Sequence, residues 1–328
     1  MSSPGDGADF AFGFDLVAVG NAVIDYIHRV TVLPRVDEGV MIYGRQSGAG
    51  GVEANVAAAA AQLGLKVGVI ARIGEDAAGA MLLDDFRQRG IDTSQIHVGG
   101  AEDTAYTLAF VDSRGERMMF TGGHGVRKLT LTDADDAYIR RGRVCFASGY
   151  LVPPHLGRVA ALCAAPDGPL FAFDLPGAFS DLAERGLQPS HVDAIAPVVD
   201  LFFASRDSLR DYTGEEDLQS GLDALRAKGV RRAAISDGAR GLHVMETISG
   251  GPEIDYIPAF PVTAVDTTGA GDVLHAALIA SWLLDGDPAA VAGRFAAAAA
   301  ALSCQGWGCR AALPTREEVA ALVETGHR

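Results

Sequence analysis

Short apolar segments alternate with amphipathic or alanine-rich segments along most of the chain. The apolar segments have the length of buried strands, and the others have helical periodicity or strong helix propensity. Such alternation predicts a doubly wound α/β fold, a mostly parallel sheet with helices on both faces, and ligands beyond the carboxyl ends of its strands. Strands are predicted at Phe14–Asn21, Val67–Ile73, Val144–Ala147, Leu170–Asp174, Leu201–Ala204 and Ala233–Ser236, and helices at Val52–Leu63, Ala77–Arg89, Ser208–Tyr212, Gln219–Lys228, Asp272–Leu284 and Pro288–Ser303.

Two more polar segments interrupt this alternation and predict a smaller sheet. Residues 34–47 alternate between polar and apolar positions near their middle, as an exposed strand does. Thr107–Val111 and Arg117–Phe120 flank Asp112–Glu116, which is the pattern of a hairpin. We expect the hairpin to pair with the first of these strands, and Gly48–Gly51 to form a turn. The sequence therefore predicts an α/β core of residues 1–33, 48–103 and 123–328 and a β-strand lid of residues 34–47 and 104–122.

Composition and charge exclude several classes of function. The 328 residues carry 27 Lys and Arg against 42 Asp and Glu, a formal net charge of −15, and no basic stretch stands out. We therefore expect no binding to nucleic acid, whose phosphates require positive charge. The chain has no apolar run long enough to span a bilayer and no signal-peptide pattern, so we expect a cytoplasmic protein without membrane contact. Its cysteines show neither zinc nor disulfide spacing and are interpreted as structural thiols: Cys145, Cys163, Cys304 and Cys309.

The stretch Asp266-Thr267-Thr268-Gly269-Ala270-Gly271-Asp272 carries the strongest chemical signal. Its small residues permit close backbone approach, and the helix that follows directs free N–H groups back at the loop. This geometry suits a phosphate whose negative charge grows during transfer. Asp272, at the helix start, is placed to accept a proton from an attacking hydroxyl. A glycine-rich loop with aspartate as a helix cap is the structural alternative, and physics alone favours neither.

Two motifs together resemble the signatures of the ribokinase-like family, also called PfkB carbohydrate kinases. The Asp266–Asp272 stretch is similar to the family's C-terminal signature, Asp-Thr-x-Gly-Ala-Gly-Asp. Gly50-Gly51-Val52-Glu53-Ala54-Asn55, which runs into an alanine-rich helix, is similar to the other signature. The order of elements matches from Phe14 to about Val319. The resemblance implies the ribokinase-like fold with a small β lid, and an ATP-dependent kinase that phosphorylates a hydroxyl of a small carbohydrate.

The resemblance also implies roles for individual residues in catalysis and acceptor binding. The implied catalytic groups are Asp272 as the general base and the amides of Gly269, Ala270 and Gly271 as an anion hole. The implied contacts to the phosphoryl acceptor are Asp25, Gly50, Gly51 and Asn55. A carboxylate and an amide together hold vicinal hydroxyls with defined donors and acceptors. Without the resemblance, a solvated strand end would explain Asp25, and a helix-start residue would explain Asn55.

On the nucleotide side, the resemblance implies binding of ATP with Mg²⁺. Ser236-Asp237-Gly238-Ala239-Arg240-Gly241 is similar to a family loop in which a hydroxyl and glycine amides contact phosphates, although an ordinary hairpin turn is the alternative. Gly306–Cys309 resembles the loop that closes over adenine and a monovalent-cation site. Asp266 would contribute to a potassium site, but Ala312 stands where a hydroxyl ligand often occurs, which argues against potassium activation. The implied nucleotide contacts are Ser236, Gly238, Gly241, Thr268 and Gly308.

One segment departs from the family pattern. Many relatives carry Asn-x-x-Glu, which is tied to magnesium and phosphate handling, where this chain has Ser205-Arg206-Asp207-Ser208. Asp207 is displaced by one position from the glutamate and is a candidate replacement. The run Gly271–His275 and the end of the chain resemble ketose and sulfofructose kinases. His275 fits either a ligand contact or a buried helix histidine.

The resemblance leaves the acceptor open among a ketose such as fructose, ribose, a 2-keto-3-deoxy sugar acid and a nucleoside. Ala147–Val152 has no carboxylate of the kind that ribose recognition often adds there. A non-catalytic sugar-binding protein on the same fold is a second class, which the altered Ser205–Ser208 segment keeps open. A nicotinamide-dependent enzyme is a third, disfavoured because no Gly-x-Gly-x-x-Gly follows the first strand. In a kinase, lid closure would exclude water, and lid pairing between subunits would give a homodimer.

Overall fold

A computed structural model describes residues 12–99, 103–114, 116–249 and 251–326 of the chain, with the backbone only at Val126. Within these ranges the strands are β1 (Phe14–Gly20), β2 (Val23–Val30), β3 (Ile42–Gly50), β4 (Val67–Gly74), β5 (Asp92–Gly99), β6 (Tyr106–Val111), β7 (Arg117–Gly122), β8 (Gly142–Ser148), β9 (Leu170–Leu175), β10 (Leu201–Ser205), β11 (Arg232–Ser236), β12 (Leu242–Ile248) and β13 (Gly251–Ile257). The helices are α1 (Val52–Gln62), α2 (Ala77–Gln88), α3 (Asp133–Ile139), α4 (Pro153–Cys163), α5 (Phe179–Glu184), α6 (Pro189–Ile195), α7 (Arg206–Thr213), α8 (Leu218–Ala227), α9 (Ala270–Leu278), α10 (Ala289–Ser303) and α11 (Arg316–Thr325). Helix α9 continues into a π-helical segment at Ile279–Asp285.

A nine-stranded sheet forms the centre of the fold, in the order β13-β12-β11-β10-β9-β8-β1-β4-β5. Strands β5 through β11 of this order run parallel, and β12 and β13 are antiparallel at one edge. The inner parallel strands are largely apolar because both of their faces are covered, whereas the edge strand β5 is mostly polar and partly exposed. The predicted doubly wound, mostly parallel α/β class is confirmed.

Two helical layers cover the two faces of this sheet. Helices α1, α2, α9, α10 and α11 share one apolar core with the sheet, and α3 to α8 share the other. Alanines dominate α1 and α10 and are buried along both helices. Alanine has the highest helix propensity and allows close packing against neighbouring helices, so α1, α9 and α10 pack tightly side by side.

A separate four-stranded sheet lies apart from the central one, in the order β3-β2-β6-β7. Strand β2 pairs antiparallel with β3 and parallel with β6, while β6 and β7 form the predicted hairpin. The expected direct pairing of the hairpin with the strand after residue 34 is wrong, because β2 lies between them. The division into core and lid stays a prediction. Strand β2 lies within residues 1–33, which were assigned to the core, but it pairs with β3 and β6 and so belongs to the small sheet.

Two local expectations also differ from the structure. The predicted turn at Gly48–Gly51 is largely strand, because β3 continues to Gly50 in register with Val23. The last predicted helices begin at slightly different residues. Helix α9 starts at Ala270 rather than Asp272, since Gly269 is its cap. Helix ends commonly differ by one or two residues from a sequence estimate.

No helix of the described residues is long and apolar enough to cross a membrane. The cysteines Cys145, Cys163, Cys304 and Cys309 are all free thiols, and Cys145 is fully buried in the core. A buried thiol packs as a small apolar side chain, as the sequence interpretation had it.

Candidate active site

The Asp266–Asp272 loop runs into the first turn of α9. Gly269 caps the helix in a left-handed conformation, with φ 82°, and a Cβ there would come within 2.9 Å of the loop after α10. Only glycine meets both conditions. The amides of Gly269 and Gly271 have no protein acceptor among the described residues, whereas the amide of Ala270 donates to a loop carbonyl at 3.2 Å. Two of the three predicted anion-hole amides are therefore free at a helix N-terminus, where an anion is favoured.

The carboxylate of Asp266 joins this loop to the segment after α10. Its Oδ1 accepts from the backbone amide and Oγ1 of Thr268 at 2.9 and 2.6 Å, and its Oδ2 accepts from the amide of Gly308 at 2.9 Å. Burial acts to raise the pKa of Asp266, but the hydrogen bonds outweigh burial and hold this pKa below its ordinary value. Asp266 is thus an ionised link between two loops, and Thr268 and Gly308 lie together at it.

Asp272 is hydrogen-bonded to the residue that begins the other predicted motif helix. Nδ2 of Asn55 donates to Oδ2 of Asp272 at 2.8 Å. Burial raises the pKa of Asp272 to about 7, the hydrogen bond from Asn55 opposes this rise, and the negative charge of Glu53 adds to it. A carboxyl group with a pKa near neutrality is suited to accept a proton during reaction and to release it afterwards.

A second acidic group lies fully buried near Asp272. Oε2 of Glu53 accepts from the amide of Asn21 at 2.8 Å, and Oε1 accepts from the amide and hydroxyl of Ser148 at 2.9 and 2.5 Å. Asn21 follows β1 and Ser148 ends β8, so Glu53 ties α1 to the carboxyl ends of two central strands. Burial, and then the charges of Asp272 and Glu53, raise the pKa of Asp174 at the end of β9 well above its ordinary value. Burial and this repulsion therefore favour the protonated form of Asp174.

His275 lies in the core below the site, one turn into α9. Its ring stacks on Phe203 with the centroids 4.2 Å apart, and its Nε2 lies 3.9 Å from Oδ1 of Asp174. Burial lowers the pKa of His275 to about 3, so the ring is neutral at physiological pH. Of the two sequence interpretations, the structure supports the buried helix histidine.

A cavity of about 200 Å³ opens between the small sheet and the segment after α10. Its lining combines charged, amide and aromatic groups, among them Asp25, Gln46, Asp85, Trp307 and Arg310. Burial raises the pKa of Asp25, and a hydrogen bond with Thr107 opposes that rise. A small cavity with convergent polar groups suits a polyhydroxyl molecule better than an apolar one.

The two glycines of the first motif bring backbone close to the cavity and to α1. A Cβ at Gly50 would lie 2.1 Å from Oδ2 of Asp25, so the carboxylate occupies the space that a side chain would need. Gly51 has φ 95°, and a Cβ there would lie 2.8 Å from the carbonyl oxygen of Asn21. Its own carbonyl accepts from the amide of Asn55 at 2.8 Å. Glycine at position 50 therefore leaves room for Asp25, which lines the cavity, and Gly51 begins the helix whose Asn55 contacts the cavity residue Arg310.

Arg310 is a site residue that sequence reasoning missed. Its Nε donates to Oδ1 of Asn55 at 3.0 Å, and its Nη1 forms an ion pair with Oδ2 of Asp85. Because Oδ1 of Asn55 faces a guanidinium, the amide nitrogen of Asn55 must face Asp272. Arg310 thereby fixes the orientation of the group that contacts Asp272. The sequence held no signal for this role beyond an arginine two residues after a loop glycine.

The predicted nucleotide turn connects β11 to β12. Gly238 has φ 55° with open space at its Cβ position, and Gly241 has φ 110° with its Cβ position 2.1 Å from a carbonyl oxygen. Ser236 ends β11 and is half-buried. The turn is therefore a glycine-dependent hairpin. It lies two strands, about 10 Å at the usual strand spacing, from β9, whose Asp174 is near Asp272.

The segment that departs from the Asn-x-x-Glu pattern forms a helix cap. Oγ of Ser205 accepts from the amide of Ser208 at 3.0 Å, and the two hydroxyl oxygens are 2.7 Å apart. The Asp207 side chain is 84% exposed and pairs with Arg210 at 3.2 Å. Its carboxylate therefore turns to solvent and does not stand in for the glutamate of the family pattern.

The structure divides the predicted site residues into three groups. The first group lies around the start of α9 and beside the cavity that Asp25 lines: Asp25, Gly50, Gly51, Asn55, Gly269, Ala270, Gly271 and Asp272. The second group, Asp266, Thr268 and Gly308, joins the two loops beside it. The third group, Ser236, Gly238 and Gly241, lies at the same carboxyl edge of the central sheet, two strands from β9 and its Asp174.

Known proteins match this chain over nearly its whole length. Residues 14–316 match a family described as pfkB family carbohydrate kinase. An ATP-dependent ribose-1-phosphate kinase from Halopiger xanaduensis is 31% identical over 310 residues, which are 94% of this chain and 97% of that protein. A fructokinase from Klebsiella pneumoniae is 30% identical over 82% of this chain and 90% of its own length. The structure of Arabidopsis thaliana ribokinase complexed with ribose and ATP superposes with a TM-score of 0.81 at 24% identity, over 95% of this chain and 99% of that one.

Proposed function

The chain belongs to the pfkB family of carbohydrate kinases, and on this premise we propose that Asp272 and Asn55 form the centre of its active site. The protein is a phosphotransferase that uses ATP to phosphorylate a sugar. The observation that carries the site assignment is the 2.8 Å hydrogen bond from Asn55 to Asp272, which joins the two sequence motifs beside the cavity.

The acceptor sugar binds in the cavity lined by Asp25. The carboxylate of Asp25 accepts hydrogen bonds from hydroxyls, and the amides of Gly50 and Gly51 and the side chain of Asn55 complete the set of donors and acceptors. The ribose-1-phosphate kinase and fructokinase relatives support a pentose or a ketose as the acceptor class. A 2-keto-3-deoxy sugar acid fits the same arrangement of hydroxyl contacts.

Asp272 accepts the proton of the attacking hydroxyl. As the O–H bond breaks, the oxygen forms a bond to the γ-phosphorus of ATP, the bond from that phosphorus to the β-phosphate oxygen breaks, and ADP leaves. The free amides at Gly269 and Gly271, with the positive end of α9, stabilise the charge on the transferred phosphoryl group. A pKa of about 7 lets Asp272 take this proton while remaining largely ionised above neutrality.

The nucleotide lies along the carboxyl edge of the central sheet, from the start of α9 toward the β11–β12 turn. Thr268 and Gly308 flank its phosphates at one end, and Ser236, Gly238 and Gly241 contact it at the other. Mg²⁺ would be held by the nucleotide rather than by Ser205 and Ser208, which stand where many relatives carry an amide and a carboxylate, and it would neutralise charge on the phosphates.

The residues around Asp266 offer few ligands for a monovalent cation. Both oxygens of Asp266 already accept protein hydrogen bonds, and Ala312 supplies no hydroxyl. Binding of K⁺ would therefore use backbone carbonyls such as that of Thr268. Turnover in potassium buffer compared with tetramethylammonium buffer at equal ionic strength tests this, and equal rates would remove K⁺ from the mechanism.

The small sheet acts as the lid of the acceptor cavity and as a subunit interface. Closure of the lid excludes water, which would otherwise accept the phosphoryl group. The face of the lid opposite Asp25 carries a row of aromatic rings, of which Phe110 and Phe120 lie 6.2 Å apart and Phe120 is 51% exposed. An exposed aromatic face supports a homodimer through the lid. ATP as donor supports a cytoplasmic location.

Release of ADP in a coupled assay tests the proposed function. The purified chain is supplied with Mg·ATP and, one at a time, ribose, fructose, ribose 1-phosphate, 2-keto-3-deoxygluconate and adenosine. Turnover with one or more sugars above the ATP-only rate is the expected result. Turnover with adenosine alone would replace the sugar by a nucleoside. A folded protein that binds a sugar without releasing ADP would be a sugar-binding protein instead.

A further inference from the structure

Trp307 lies in the loop after α10 and lines the acceptor cavity. It is 49% exposed, whereas Trp282, the other tryptophan of the chain, belongs to the core and is 5% exposed. An indole left half in water forgoes the stabilisation that burial of so large an apolar side chain gives. Trp307 therefore presents apolar surface to a molecule that enters the cavity.

The Trp307 ring is held in place on one side by Arg29. Cζ of Arg29 lies 3.8 Å from the centroid of the ring. At this distance the guanidinium lies over a face of the indole, since an approach in the plane of the ring would stop farther out. The exposed surface of Trp307 therefore belongs to the other face and the edge. The backbone of the loop is anchored as well, because the amide of Gly308 donates to Asp266 at 2.9 Å.

The groups around the ring divide into apolar and polar ones. Ile27 follows Asp25 by two positions on β2, so both side chains share the face of the strand that lines the cavity. Gln46 of β3 pairs with Ile27 and lines the cavity too. A sugar ring has the same division, since its C–H bonds present apolar surface and its hydroxyls form hydrogen bonds. Trp307 and Ile27 match the first, and Asp25 and Gln46 match the second.

The family resemblance assigns the loop of Trp307 to adenine, but its contacts favour the acceptor. Arg29, which stacks on the ring, belongs to β2 of the small sheet. A Cβ at Gly308 would lie 3.7 Å from Nε2 of Gln46 on β3, so the next residue of the loop also faces the small sheet. The predicted nucleotide turn belongs instead to the central sheet, at the β11–β12 connection. The ring thus lies on the acceptor side of its loop.

We propose that Trp307 is an acceptor-binding residue whose uncovered face stacks on the C–H face of a sugar bound in its ring form. The inference rests on the proposed function, since it adds a contact residue and the ring form of the sugar to that acceptor site. Hydroxyls at the edge of the stacked ring reach Asp25. An open-chain polyol has no flat C–H face, so the contact selects cyclic sugars.

Intrinsic fluorescence tests the contact without ATP and without turnover. Trp282→Phe leaves Trp307 as the sole indole, and Trp307→Phe leaves only Trp282. Both variants are titrated with ribose, fructose, ribose 1-phosphate, 2-keto-3-deoxygluconate and Mg·ATP. At least one sugar should shift the emission of Trp282→Phe to shorter wavelength, because the sugar displaces water from the indole. The emission of Trp307→Phe should not respond, and Mg·ATP alone should change neither variant.

Steady-state kinetics measure what the ring contributes. Trp307→Ala should raise the KM for the sugar by about 10-fold and leave the KM for ATP within about twofold. Trp307→Phe keeps an aromatic face and should stay within about threefold of the wild-type KM for the sugar. Trp282→Phe is the matched control, because Trp282 belongs to the core, and it should leave both KM values unchanged.

Competition by fixed rings and open chains tests the selection of the ring form. The fixed rings 1,4-anhydroribitol and 2,5-anhydromannitol should compete with the sugar about 10-fold more strongly than ribitol and mannitol, and Trp307→Ala should abolish this difference. Equal competition by rings and chains in the wild type would overturn the ring form.

The outcomes separate this inference from the proposed function. A shifted emission of Trp282→Phe without ADP release would leave the contact standing and remove the kinase mechanism. ADP release with a sugar that does not shift this emission, or an unchanged KM for that sugar in Trp307→Ala, would overturn the contact and leave the kinase. A shift caused by Mg·ATP alone, or a rise in the KM for ATP alone, would overturn the contact and assign Trp307 to adenine.

Discussion

Asn55 donates a hydrogen bond to Asp272 at 2.8 Å while it accepts one from Arg310 at 3.0 Å, and so connects a loop arginine to the proposed base. Asn55 lies 217 positions from Asp272 and 255 positions from Arg310, so both contacts exist only in the folded chain. The orientation of the Asn55 amide depends on Arg310, since an unanchored amide can present either its oxygen or its nitrogen to Asp272.

Replacement of Arg310 should therefore impair both turnover and stability. Arg310→Met removes the donor to Asn55 and leaves Asp85 without its partner, so we expect kcat to fall by about 10-fold and the free energy of unfolding by about 2 kcal/mol. Arg310→Lys keeps the charge beside Asp85 and should recover stability more than kcat. Urea unfolding and steady-state kinetics on both variants measure the two effects. Equal recovery of both by lysine would mean that the charge of Arg310, and not its fixed hydrogen bond to Asn55, carries the effect.

The pH dependence of turnover should report the ionisation of Asp272. Since the base must be deprotonated and its pKa is raised to about 7, kcat/KM should rise with pH and be half-maximal near pH 7. Glu53→Gln removes a negative charge that contributes to this rise, so the midpoint should move to lower pH. Asp207→Asn is the control, because Asp207 is 84% exposed and pairs only with Arg210. If the pH midpoint of kcat/KM were the same in Glu53→Gln as in wild type, the charge of Glu53 would not act on the pKa of Asp272.

The same raised pKa has a consequence for stability. The pKa of Asp272 is higher in the folded chain than its ordinary value of 3.8, so the folded state favours the protonated carboxyl. This contribution is fully present below about pH 4 and is lost as the pH rises through 7. Asp272→Asn should therefore be more stable than wild type at pH 8, on the order of 2 kcal/mol, and equal to it near pH 4. Thermal or urea unfolding at the two pH values checks this. Lower stability of the variant at pH 8 would contradict it.

Gly50 should be essential for acceptor binding. A Cβ at this position would lie 2.1 Å from Oδ2 of Asp25, so Gly50→Ala must displace that carboxylate. We expect the KM for the acceptor to rise by about 10-fold or more while the KM for ATP changes little. Gly39→Ala, in the loop before β3, has no atom within 4 Å of the added Cβ and is the control. An unchanged acceptor KM in Gly50→Ala would remove Asp25 from the acceptor site.

The two motifs and the alternation of strands and helices were enough to predict the central sheet and the cluster around Asp272. Both signals are local, since glycine at Gly269 and the aspartate three residues later act within one turn of helix. The position of β2 was not predictable in the same way. A single apolar segment does not specify which of two sheets it joins, and the β2–β6 pairing spans more than 80 residues.

Residues whose role depends on distant partners were also beyond the sequence. Glu53 lies inside a recognised motif, but its role follows from Ser148, which is 95 positions away. Arg310 is 255 positions from Asn55, and no spacing rule connects them. Such contacts arise from packing of separate elements, whereas helix caps and turn glycines are set by neighbours in the chain.

The proposed role of Asp272 as the base in phosphoryl transfer is tested most directly by the kcat of Asp272→Asn with its best sugar acceptor. The variant keeps the size of the side chain and an oxygen that accepts from Asn55, so the fold and the binding of ATP and sugar should persist. We predict a kcat lower by on the order of 10²-fold or more, at unchanged nucleotide affinity. A kcat within about twofold of wild type would contradict the assignment of Asp272 as the base.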